Sequence, residues 1–82
     1  MDEMEKAVEM KLQLVETLSA LRFQMDNVEF CASLRCKDVE AGVMGTGDAL
    51  GWVEDEVRML EAIARKARKK LHALAKKHMA ID

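Results

Sequence analysis

The chain contains no proline, four glycines and three aromatic residues, Phe23, Phe30 and Trp52. Without proline no built-in break interrupts a helix, and a composition led by Met, Ala, Leu, Glu and Lys favours helix over sheet. Its two cysteines, Cys31 and Cys36, are five positions apart. On a helix that separates them by about 140° around the axis, so they cannot bridge one another within it. Two unpaired thiols suit a reducing compartment, and the expected location is intracellular, cytoplasmic or nuclear. The first residues, MDEMEKAVEMK, are acidic and amphipathic, unlike the basic start and apolar run of a signal peptide. Apolar runs are only a few residues long, which excludes a membrane span.

Several kinds of chemistry lack their motifs. His72 and His78 are six apart, no Cys-x-x-Cys or His-x-x-x-His pair occurs, and Glu9 and Glu16 have no Glu-x-x-His partner. No metal or other cofactor is therefore expected. A thiol nucleophile would need a nearby base, but both histidines belong to the far end of the second half, and a hairpin offers no concave pocket. The expectation is a protein without catalytic residues. The segment Gly42-Val43-Met44-Gly45-Thr46-Gly47-Asp48 is glycine-rich, yet no Gly-Lys-Ser/Thr follows and no strand precedes, so it reads as a turn and not a phosphate loop. The net charge of −2 gives the whole chain no general attraction to nucleic acid.

What the chain does have is helical periodicity. In the second half, Leu50, Val53, Val57, Leu60, Ala64, Ala67, Leu71 and Leu74 recur at alternating spacings of three and four, and the count continues to His78 and Ile81. That is a heptad seam, the mark of a helix packed lengthwise on another. In the first half a second stripe runs through Met4, Ala7, Leu14, Leu18, Leu21, Met25, Val28, Ala32 and Val39, interrupted by Lys11 and Arg35. The two stripes can face each other. Gly42 is placed to end the first helix in the left-handed conformation, and Asp48 or Thr46 can cap the second.

The expected fold is all-α and a single domain: a long antiparallel hairpin with helix 2–41, loop 42–47 and helix 48–80. Asp26-Asn27-Val28-Glu29 resembles a capping box, which leaves a kink into three helices as the alternative. The two arms would measure about 60 Å and 50 Å. Folding about the loop sets Phe30 level with Met59 and Leu34 with Asp55, while the acids from Asp2 to Glu9 overhang the end of the second helix.

An 82-residue chain struggles to bury an adequate core alone. Leu12, Phe23, Phe30 and Leu34 also lie opposite the first helix's stripe, so that helix expects cover on two sides. Trp52, Met59 and Ile63 lie off the second seam. The residues expected to bind a partner or a second copy are Phe23, Phe30, Leu34, Trp52, Met59 and Ile63, because large aromatic, aliphatic and Met side chains anchor interfaces. The function expected is non-catalytic: a helical-hairpin oligomerisation, adaptor or regulator protein. It would form a homodimer or higher coiled-coil or four-helix assembly and dock on another protein. The alternative is a nucleic-acid accessory protein using the cations Arg65, Lys66, Arg68, Lys69, Lys70, Lys76 and Lys77. These surround the seam and have no interleaved aromatic for base stacking. A membrane-surface role fits less well, since that collar lacks an apolar face of its own.

Overall fold

The computed structural model describes residues 2–79 of the chain. It contains two helices, α1 (Glu3–Glu40) and α2 (Thr46–Met79), packed along their length as an antiparallel hairpin. The hairpin is 61 Å long, 17 Å wide and 9 Å thick between Cα positions. Among the described residues there is no strand, and no helix is long and apolar enough to cross a membrane. The position 80 and Ile81 ends of the expected second helix and seam lie outside the described residues.

Each helix end has a local cause. Asp2 caps α1: its carboxylate accepts the Glu5 N–H at 2.8 Å, and Glu3 and Glu5 place negative charge at the positive end of the helix dipole. At the other end Gly42 adopts φ +75°. Its N–H donates to the Val39 carbonyl at 3.0 Å and the Val43 N–H donates to Asp38 at 3.0 Å, the bond pair of a Schellman stop. A side chain at Gly42 would be strained by that backbone conformation. The first α2 bond runs from the Ala49 N–H to the Gly45 carbonyl at 3.0 Å. The helix therefore starts ahead of Asp48, and the loop is shorter than expected.

Helix α1 is continuous across Asp26–Glu29, so the three-helix alternative is excluded. The shorter loop also moves the register. Arg35 lies against Trp52, and Glu9 bonds Lys77. Phe30 is accordingly about one turn nearer the loop-side end of α2 than Met59, and Glu9 meets α2 instead of overhanging it.

The core is thin. Ala49, Ala67 and Leu74 are the buried apolar residues, joined by buried Thr17 and Gln24, and no large side chain among the described residues is fully enclosed. The reason is geometric: two helices touch along one line, and only a third or fourth element can close the sides of that line.

Candidate helix-docking faces

The line of contact shares half of each expected seam. Leu14, Leu21 and Val28 on α1 and Val53, Leu60, Ala67 and Leu74 on α2 are all buried or half-buried. The remaining positions are rotated. On α1, Thr17, Gln24 and Cys31 turn toward α2, while Leu18 and Met25 are 52% and 53% exposed. On α2, Ala49, Glu56 and Ile63 turn inward, while Leu50 is 64% exposed and Ala64 is open. The seams read from the sequence are therefore displaced to one side of the true contact line. Ile63, expected as an outward anchor, is half-buried along that line.

This rotation gives the hairpin two unlike broad faces. The first carries the polar contacts between the helices. The Gln24 side-chain amide donates to the Glu56 carbonyl at 3.0 Å and to its carboxylate at 2.8 Å, and Asn27 donates to the Gln24 amide oxygen at 3.3 Å. Buried Gln24 thus satisfies its polar atoms, which is why an amide is tolerated where the heptad pattern calls for an apolar residue. Nearer the loop the Arg35 guanidinium lies 4.8 Å from the centre of the Trp52 ring and pairs with Asp38 at 2.8 Å. Arg35, which interrupts the stripe in the sequence, here stacks on an aromatic and bonds an acid at once.

At the open end Lys77 donates to Glu9 at 2.6 Å. The Lys77 ammonium, by its hydrogen bond and then its charge, holds the Glu9 carboxyl below its ordinary value; the smaller effect of burial opposes this, and the charge of His78 adds slightly to it. His78, where the count of the second seam continues, is half-buried in a crevice with Glu3, Lys6, Ala7 and Met10.

Among the described residues the second face has no such polar contacts between the helices. Its loop end is a crevice lined by Ala32, Cys36, Val39 and Glu40 from α1 and by Thr46, Ala49, Leu50 and Val53 from α2, with Arg35, which reaches across to Trp52, also in its wall. At 100° per residue, Leu18 and Met25 continue the α1 side of that crevice, and Val57, Ala64 and Leu71 continue the α2 side. Leu71 is exposed and Val57 half-buried.

The other expected anchors sit on the hairpin's flanks. Phe23 and Phe30 are each 69% exposed on the side of α1 turned away from α2, and Leu12, three turns toward the N-terminus, is exposed as well. Leu34 is at the margin of exposure, and Trp52 and Met59 are half-exposed on the polar-contact face. The structure brings Trp52 to Arg35 and leaves Phe23 and Phe30 without an aromatic or cationic neighbour among the described residues. Gln24 and Glu56 give no signal in the sequence, because an isolated amide and acid carry no spacing pattern.

The cations Arg65, Lys66, Arg68, Lys69, Lys70, Lys76 and Lys77 are all exposed. Lys77 is the one of them that pairs with an acid among the described residues. Cys31 and Cys36 are free thiols, and no cluster of three metal-ligating side chains occurs among the described residues. No protein-family model, curated protein or solved structure matches this chain.

Proposed function

We propose that the chain is a non-catalytic interaction module that works by docking helix faces, both on itself and on another protein. One observation carries this reading: among the described residues the hairpin buries three apolar ones while Leu18, Met25, Phe23, Phe30, Leu50 and Trp52 remain open to water. Exposed apolar surface on this scale marks sites of association, and a hairpin with so thin a core gains stability when its faces are covered. Phe23 and Phe30 on the outer side of α1 supply rigid anchors for a partner's groove or helix, and exposed charges form the rim.

The test joins two measurements on the full chain. Melting followed by circular dichroism over a hundredfold range of concentration should show a melting temperature that rises with concentration. Affinity capture from the source cell, repeated with Phe30→Glu and Trp52→Glu, should recover a protein that the variants lose while their helicity stays intact. A concentration-independent melt, together with identical capture by wild type and both variants, would sink the reading.

A second reading rests on a separate observation: six of the seven cations between Arg65 and Lys77 have no acidic partner among the described residues. These cations would neutralise phosphates in a nucleic-acid accessory role, with affinity falling steeply as salt rises. Absence of a mobility shift with duplex DNA or RNA at low salt removes it.

A further inference from the structure

We infer that the open apolar face is covered by a second copy of this chain, lying antiparallel so that the two loops are at opposite ends of a four-helix bundle. The inference rests on the docking-module reading and adds the occupant, the face and the orientation. In a square bundle each helix contacts one neighbour within its hairpin and one across the interface, at roughly a right angle around its axis. Leu18 and Met25 on α1 and Leu50, Val57, Ala64 and Leu71 on α2 stand on that second side. With the intramolecular line beside them, they make up the seams visible in the sequence. A seam displaced from the contact within one hairpin is what the centre of a four-helix bundle requires.

The area is sufficient. A face 61 Å by 17 Å offers about 1,000 Å² per chain, or about 2,000 Å² for a pair, against about 1,600 Å² for a standard stable interface.

Charge selects the occupant and its direction. Lys11 stands in the Leu18 and Met25 row of the face, the α1 border carries Arg22, Asp26 and Glu29, and the α2 border carries Glu54, Arg58, Glu61, Arg65, Arg68 and His72. A two-fold axis crossing the middle of the face, near Arg22 and Ala64, sets α1 against its copy and α2 against its copy. Within about one helical turn, Lys11 then meets Glu29 of the copy, Glu61 meets Arg68 and Glu54 comes level with His72; Arg22 and Arg65, beside the axis, come level with their own copies and have the copy's Asp26 and Glu61 about one turn away or less. With both loops at the same end, Glu29 would lie between Glu54 and Arg58, Arg22 between Glu61 and Arg65, and Asp26 between Arg58 and Glu61, while Lys11 would face His72. Lys11 thus finds an acid of the copy only in the antiparallel arrangement, which is the direction these charges favour.

Two experiments on the full chain decide it. In the first, Cys31→Ser and Cys36→Ser are combined with Ala64→Cys, which places one thiol beside the axis. Mild oxidation should give mostly disulfide-linked dimer, with helicity retained. In the second, Lys11→Glu and Glu29→Lys should each weaken the dimer several-fold in sedimentation equilibrium, and the double variant should recover wild-type affinity. The two positions are about 27 Å apart on one helix, so that rescue can only arise between chains. A dimer that resists the cross-link and shows no rescue overturns this arrangement while leaving the docking reading intact. A folded monomer at tens of micromolar overturns the second copy altogether, and the Phe30→Glu capture then decides the docking reading separately.

Discussion

The two broad faces of the hairpin are built from the same two helices, yet they do opposite things. One is laced by Gln24 to Glu56, Arg35 against Trp52, and Glu9 to Lys77. The other shows Leu18, Met25 and Leu50 to solvent, with no polar contact between the helices among the described residues. The difference teaches that closure and cover are separate problems in a two-helix chain. Directional bonds on the first face fix register, because each works only when its partners are level. Apolar surface on the second face is non-directional and leaves the choice of cover to whatever fits.

The comparison breaks most severely where both faces meet. Leu74 is buried on the line between them. Leu74→Ala should cost about 2–4 kcal/mol, read as a lower urea midpoint with an unchanged slope. The next largest effect separates the faces. Met25→Glu should weaken self-association about a hundredfold in sedimentation equilibrium. Phe23→Glu, an equally drastic change on the outer side of α1, should leave self-association unaltered. Equal loss from both would show that the faces are not distinct.

On the laced face, Gln24→Ala removes both bonds to Glu56 and leaves those acceptors less well served. A loss of about 1–2 kcal/mol is expected from denaturant melts. Arg35→Lys keeps the charge but loses the planar group stacked on Trp52, and should cost about 0.5–1 kcal/mol with a changed Trp52 fluorescence.

The smallest effect concerns pH. Glu9 has its carboxyl held below the ordinary value by Lys77. A depressed folded-state value means that the pair stabilises the hairpin at neutral pH and that this contribution is lost as pH falls through the folded value. Carboxyl NMR should find Glu9 titrating below an ordinary glutamate in wild type and returning toward it in Lys77→Ala.

The hairpin itself was legible because its signals are local and redundant. Three-and-four spacing over many turns admits only a long helix, and Gly42 between two such segments admits only a stop. Leu14, Leu21, Leu60 and Leu74 were placed correctly because they form the row of each stripe nearer the neighbouring helix. The rotation that puts Thr17 and Gln24 inside and Leu18 and Met25 outside was not legible. A stripe as broad as these offers two edges, and periodicity does not say which edge meets the neighbouring helix. Arg35 was read as an interruption because its partner Trp52 is reached only once the loop has set the register.

By itself, then, the sequence determined two long helices, the position of the reversal and an excess of apolar surface over what one hairpin can bury. These follow from backbone preferences and spacing, which act within a few residues. Only the tertiary structure decided which edge of each stripe closes the hairpin, since that depends on polar groups far apart in the chain finding one another at a common height. Gln24 and Glu56, thirty-two residues apart, make that choice visible.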